Sequence, residues 1–126
     1  MVKWLPKSRA SGDIFVSNIA NYVEYYYPGR IKSIDAELTN IDLMSRTDID
    51  IDFDGKYWIE IKEGKKIDQW QVQKQLKASA DEGMDYIYYT GGKLGKQQKQ
   101  KLIEWGVKPE NIIDNGKLGD LMRKLE

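Results

Sequence analysis

The sequence predicts a mixed α/β domain ordered αβββαβ, followed by an αβα extension. Helical and strand periods alternate along the chain with short punctuation between them, the pattern of one packed α/β or α+β unit with a mixed sheet. A period-two hairpin, Thr47 to Lys62, lies in the middle. The 126 residues support a single domain, residues 1–126, with enough interior for a core without staples.

The elements follow in order. Asp13 is the expected N-cap of a first helix, in which Val16, Ile19, Ala20, Val23 and Tyr27 recur at helical spacing until Pro28-Gly29 stops it. Several of Tyr22, Tyr25, Tyr26 and Tyr27 share that apolar stripe and are expected to pack. Ile31 to Leu38 reads as a strand with Ile34, Ala36 and Leu38 on one side, and Thr39 to Arg46 as a connection. The hairpin has two candidate registers. A two-residue loop sets Ile49 opposite Glu60 and mixes core with polar sides. A three-residue loop, Asp54-Gly55-Lys56 with positive φ at Gly55, sets Phe53 against Tyr57, Ile51 against Ile59 and Ile49 against Ile61. The second register keeps the apolar side chains on one face, and puts Asp52 by Trp58, Asp50 by Glu60 and Asp48 by Lys62 on the other.

Lys66 to Glu82 is the next expected helix, with Gln69, Val72, Leu76, Ser79 and Ala80 inward and Gly83 closing it. Tyr86 to Tyr89 is a short strand followed by the loop Thr90-Gly91-Gly92. Lys93 to Trp105 is a lysine- and glutamine-rich helix with apolar contacts from Leu94, Leu102, Ile103 and Trp105. Ile112-Ile113 is an expected edge strand and Lys117 to Leu125 a terminal helix.

Composition excludes much chemistry. Lys and Arg number 20 and so do Asp and Glu, so any electrostatic footprint is local. The chain has no cysteine and no histidine. Disulfides, Cys/His zinc sites, thiol nucleophiles, imidazole triads and histidine-metal nucleases are therefore ruled out, leaving carboxylate, lysine and tyrosine for acid–base and metal work. No apolar run approaches membrane-spanning length, and the basic segment Met1 to Arg9 is not followed by an apolar stretch. The expectation is a soluble chain without a membrane partner, acting in the cytoplasm.

The hairpin carries the chemistry. Alternating aspartates usually mark a solvated sheet face, yet aspartate is a poor strand former, and three in alternation exceed what solubility requires. Carboxylates gathered on one face repel unless cations or solvent neutralise them. Mg²⁺ takes one or two carboxylates plus water and phosphate oxygens, and Asp50 with Glu60 would supply that pair from adjacent strands. Lys62 shares the face of Glu60 because strand side chains alternate. An amine there can hold or deprotonate a water and offset charge in a phosphoryl transition state.

Asp50, nine intervening residues and then Glu60-Ile61-Lys62, flanked by Ile49, Ile51, Ile59 and Ile61, resembles the PD-(D/E)XK signature of the restriction-endonuclease-like nuclease superfamily. The likeness spans about Asp13 to Tyr89. It implies the αβββαβ core, with the acid on the second strand and Glu-x-Lys on the third. Thr47-Asp48-Ile49-Asp50 stands where the family name has Pro-Asp, so Asp48 and Asp50 compete for the ligand position. The register, which sets Asp50 opposite Glu60, favours Asp50. The resemblance further implies a glutamate from the first helix in the metal shell, here Glu24, and a backbone carbonyl, here that of Ile61. It also implies a glutamine near the start of the helix after the lysine, for which Gln69 and Gln73 are candidates. Mg²⁺ or Mn²⁺ is the implied cofactor.

Lys93, Lys96, Lys99 and Lys101 form a stretch without an acid, and with Lys65, Lys66, Lys74 and Lys77 they make the middle of the chain locally basic. Such clustering suits phosphate-backbone contacts, though each lysine alone reads better as part of a solvated face. Trp70 falls on the outer side of its helix, available to stack a base or to shield the helix. The expectation is a metal-dependent endonuclease on DNA or RNA, tRNA included. Segment 86–92 with Leu102 to Val107 is similar to the tail of bacterial toxin nuclease domains, which implies a toxin role and a cognate immunity protein. The rivals are a non-catalytic nucleic-acid-binding module and a protein-interaction module of the same fold.

Overall fold

The computed structural model describes residues 3–37 and 48–126. Leu38, the expected connection Thr39 to Arg46, and Thr47 lie outside the described residues.

Helix α1 (Ser11–Tyr26) leads into strands β1 (Ile31–Glu37), β2 (Asp48–Phe53) and β3 (Tyr57–Lys62). Helix α2 (Gln69–Asp81) crosses to β4 (Asp85–Thr90), and α3 (Lys96–Trp105), a 3₁₀ turn (Pro109–Asn111), β5 (Ile112–Ile113) and α4 (Leu118–Leu125) follow. The sheet is mixed, in spatial order β1-β2-β3-β4-β5: the first two pairings are antiparallel, the last two parallel. The two parallel neighbours are linked by helix-bearing crossovers, as parallel pairing demands.

Each face of the sheet is covered. On one, Val16, Ile19, Ala20 and Val23 of α1 and Leu121 and Leu125 of α4 pack on Ile51, Phe53, Ile59, Ile61, Ile87 and Tyr89. On the other, Val72 and Ala78 of α2 and Leu102 of α3 pack on Trp58, Tyr86 and Tyr88. The alternation of β4 serves both faces at once, and its run Tyr86 to Tyr89 is nearly sealed from solvent.

The hairpin has the three-residue register: Phe53 pairs with Tyr57, Asp52 with Trp58 and Ile51 with Ile59. Asp54 and Gly55 both have positive φ, 60° and 64°, the signature of a type I′ turn, with Lys56 as the extra residue. Ile49 departs from expectation. It packs with the α2/α3 cluster and not with Ile51, so the face alternation of β2 breaks between them.

Helix boundaries shift in instructive ways. Asp13 is inside the first turn of α1, where it accepts a hydrogen bond from the Ser8 hydroxyl, and Ala10 is the N-cap. Asp68 caps α2 by accepting the Gln71 N–H at 3.2 Å, so that helix starts three residues later than its apolar pattern suggests. Its inward residues are Val72, Gln75, Ala78 and Ser79, while Gln69 and Ala80 are exposed. Leu94 is buried ahead of α3, and Ile103 is on its outer side. Tyr22, Tyr25 and Tyr26 are exposed and pack on one another, with centroids 5.0 and 5.2 Å apart; Tyr27 alone of the four reaches the core, edge-on to Phe53. The 100° step of a helix sets Tyr22 and Tyr25 on the side away from Val16, Ala20 and Val23, with Tyr26 at the flank between the two sides. No helix among the described residues is long and apolar enough to cross a membrane.

Candidate active site

The site lies where β2 and β3 run on past their paired stretch. Main-chain pairing extends as far as Ile51–Ile59. Two residues further along β3, the Asp50 carboxylate accepts the Ile61 N–H at 2.7 Å. A side chain thus takes a bond that a strand ordinarily gives to a carbonyl, and this fixes Asp50 against β3.

Glu60 is only 1% exposed and hydrogen-bonds with Asp50. Burial, and then that contact and the like charge of Glu60, push the Asp50 carboxyl well above the usual carboxylate range; the Ile61 N–H and Lys62 pull the other way. Glu60 Oε2 is buried with no hydrogen-bond partner, and Lys62 Nζ stands 3.5 Å from it. Lys62 Nζ also donates to Gln71 Oε1 at 2.7 Å. Gln71 on α2 therefore aims the amine at the carboxylate pair.

Asp48 does not face Lys62 as the flat register implied. Its carboxylate is 3.7 Å from Lys7, and its carbonyl accepts the Gln75 Nε2 at 2.8 Å. Gln75, fully buried, accepts in turn from the Tyr86 hydroxyl at 2.6 Å. Burial, helped by Glu60, keeps the Tyr86 phenol protonated far above its ordinary range, so it remains a donor. This chain from β4 through α2 to β2 anchors the start of β2 over the second face of the sheet and accounts for the turn of Ile49. Tyr88, the register partner of Glu60 on β4, is also raised, by burial, Glu60 and Asp68.

Behind Lys62 the chain is braced by the 90–92 loop. Thr90 Oγ1 donates to the Gly64 carbonyl and accepts the Gly92 N–H, and the Gly91 N–H bonds the Lys62 carbonyl at 2.9 Å. A Cβ on Gly92 would come within 2.8 Å of the Lys65 nitrogen, so only glycine allows this approach. In front, Lys62, Gly64, Lys66 and Asp68 line an open groove of about 310 Å³.

The remaining sequence candidates fall as follows. Glu24 is not brought to the pair. It is in the last turn of α1, where it bonds the Gly29 N–H at 2.6 Å and Trp4 Nε1 at 3.2 Å; the Gly29 bond chiefly holds its carboxyl below the usual range. The opposite end of α1 faces the site, since Ser11 Oγ donates to Glu63. Gln69 and Gln73 are exposed; the glutamines that engage are Gln71 and Gln75, which lie one helical turn apart. Their i, i+4 spacing does not distinguish them from Gln69 and Gln73, which share it, so the sequence pattern carries no signal for this choice. Lys74 Nζ is 5.3 Å from the centre of the exposed Trp70 ring. Lys93 and Lys96 are exposed, and Gln98 Nε2 donates to the Lys65 carbonyl, which brings the start of α3 beside the Glu63–Lys66 segment. Lys99 is 3.7 Å from Asp114. Among the described residues no three acids converge closely enough to hold a metal ion as the side chains lie.

The arrangement is chemically specific: two carboxyls in contact, one carrying a raised proton affinity, and an aimed amine at the lip of a groove. Comparison with family models, with curated proteins and with solved structures finds no match to this chain.

Proposed function

We propose that the protein is a divalent-metal-dependent nuclease of restriction-endonuclease-like architecture, hydrolysing phosphodiester bonds of DNA or RNA. One observation carries the reading: Asp50, Glu60 and Lys62 meet at the diverging end of the hairpin, with Lys62 Nζ 3.5 Å from Glu60 Oε2. The order of the elements, with the acid on β2 and Glu-x-Lys on β3, is what that architecture requires.

The residues present fit Mg²⁺ or Mn²⁺. Glu60 Oε2 is a buried oxygen without a hydrogen-bond partner beside a second carboxyl, a donor set for a hard cation that takes two carboxylates and fills its shell with water and phosphate oxygens. Asp50 and Glu60 would hold the ion, with the Ile61 carbonyl as the main-chain candidate. Bound there, it would polarise a phosphoryl oxygen and lower the pKa of a water. Lys62, held by Gln71, orients the attacking water and offsets charge on the phosphoryl oxygens as it builds. Lys66, on the groove, and the exposed Lys93 and Lys96 contact phosphates without reading bases.

The test is incubation of wild type and Lys62→Ala with plasmid, linear and single-stranded DNA and with tRNA, with Mg²⁺ and with chelator. Cleavage is expected only for wild type with metal, and the substrate cut decides DNA or RNA. Binding without cleavage, indifferent to chelator, identifies the non-catalytic module instead. If the activity serves as a toxin, wild-type expression harms the host and a cognate inhibitor relieves it.

A further inference from the structure

We propose that the groove beside Lys62 takes single-stranded nucleic acid, with one unpaired base stacked on the Trp70 indole; this rests on the nuclease reading above and names its substrate class. Trp70 stands in the first turn of α2, between Asp68, which lines the groove, and Gln71, which holds the Lys62 amine. It is 65% exposed and belongs to neither packed cluster of the fold.

The ring has a defined place. Lys74, one helical turn on, has its Nζ over the indole, 5.3 Å from the ring centroid. Three helical steps set Lys74 about 60° from Gln71 around the axis, so the ring is held toward the flank of α2 that reaches Lys62. Leu76, on the other flank, faces Gly106 at the end of α3. An ammonium over one face of an indole attracts it, and leaves the ring less freedom to lose when a base stacks on it.

The charges around Trp70 select the partner. Lys62 and Lys66 line the groove, and Gln98 ties the start of α3, with the exposed Lys93 and Lys96, to the Lys65 carbonyl. Both acids of the 63–68 segment are engaged: Asp68 accepts the Gln71 N–H and Glu63 accepts the Ser11 hydroxyl. A flat π face set among cations suits a polyanion that carries flat rings. Stacking of bases on aromatic side chains is sequence-tolerant, because every base has a π face. A duplex keeps those faces stacked on one another and freeing one costs unstacking energy, whereas a single strand presents them ready. An indole that merely covered apolar surface would be buried by it, and Trp70 is not.

The test is fluorescence anisotropy on the full chain with a labelled oligothymidylate, an oligouridylate of equal length and a blunt DNA duplex, in chelator so that nothing is cut. Wild type, Trp70→Phe and Trp70→Leu are compared, because phenylalanine keeps a π face and leucine keeps only apolar bulk. Wild type is expected to bind a single strand more tightly than the duplex, and the tighter of the two oligonucleotides tells DNA from RNA. Trp70→Leu is expected to lose about tenfold in single-strand affinity and Trp70→Phe markedly less, with duplex binding and melting temperature unchanged in both. Quenching of tryptophan fluorescence by the unlabelled oligonucleotide should shrink in Trp70→Phe although that variant still binds. Equal affinities of wild type and Trp70→Leu overturn the proposal, as do equal losses in the leucine and phenylalanine variants. Wild type that binds duplex as tightly as single strands overturns it too, while plasmid cleavage in the assay above leaves the nuclease reading standing. Wild type that binds no strand and cuts none removes the nuclease reading itself, and this inference with it.

Discussion

The Asp50 carboxylate accepts the Ile61 main-chain N–H at 2.7 Å, so the acid on β2 is locked to the strand that carries Glu60 and Lys62. Its position is set by the backbone of its neighbour and does not depend on its charge. The carboxamide oxygen of an asparagine would accept the same N–H, but the residue is aspartate, and the charge it carries beside Glu60 opposes folding.

Asp50→Asn is therefore expected to fold at least as well as wild type. An acid whose folded pKa is raised binds its proton more tightly in the native state, so its contribution is fully present below the unfolded pKa, about 3.9, and is lost as pH rises through the folded value. Asp35 acts in the same sense and Glu24, whose carboxyl is lowered, in the opposite one. In chelator, the stability gap between Asp50→Asn and wild type should widen in favour of the variant as pH rises from about 4. Urea unfolding at a series of pH values checks this; a gap independent of pH contradicts it.

Gln71 holds the amine of Lys62 at 2.7 Å through Oε1. Gln71→Ala frees that amine to swing out of line with Glu60. Misplacement of a reacting group by about 1 Å is enough for a loss on the order of 10²-fold. The expected outcome is a fall in kcat of that order with KM nearly unchanged and melting temperature nearly unchanged, measured by steady-state cleavage kinetics and a thermal scan.

The 90–92 loop predicts a stability effect remote from the acids. Gly92→Ala drives a methyl to 2.8 Å from the Lys65 nitrogen and 3.1 Å from the Gly64 carbonyl carbon, both main chain and neither able to rotate away. Destabilisation of about 1–3 kcal/mol is expected from this overpacking. Thr90→Val removes the hydroxyl between the Gly64 carbonyl and the Gly92 N–H and should cost a similar amount, about 1–3 kcal/mol. Urea denaturation of both variants measures these losses.

Tyr22, Tyr25 and Tyr26 supply the converse. They look apolar in the sequence and are exposed in the fold, so replacing Tyr25 with Ser should change stability by no more than about 0.5 kcal/mol. A large loss in the same urea titration would show that this face of α1 bears on the core.

Much of this architecture is readable in the residues, and for identifiable reasons. The hairpin register follows from asking which loop length keeps Ile51 and Ile59 together, because a one-residue slip exposes every apolar side chain. The same test sets Asp50 toward Glu60. It fails at Ile49, because strict alternation assumes a flat strand, whereas Gln75 and Tyr86 pull the start of β2 toward α2 through bonds no periodicity encodes. In α2 the choice of inward glutamines is set by Gln71 reaching Lys62 and Gln75 reaching the Asp48 carbonyl, bonds that the apolar pattern does not encode. Glu24 draws attention as the acid of the first helix, but its bond to the Gly29 N–H accounts for it.

On the proposed reading Asp50 is held for metal binding at the expense of stability, and the rate of nucleic-acid cleavage by Asp50→Asn at saturating Mg²⁺ tests this most directly. A properly folded variant is expected, with a cleavage rate lower on the order of 10²-fold or more, as loss of one of the two carboxylates proposed to hold the metal implies. Cleavage by folded Asp50→Asn at the wild-type rate would contradict it.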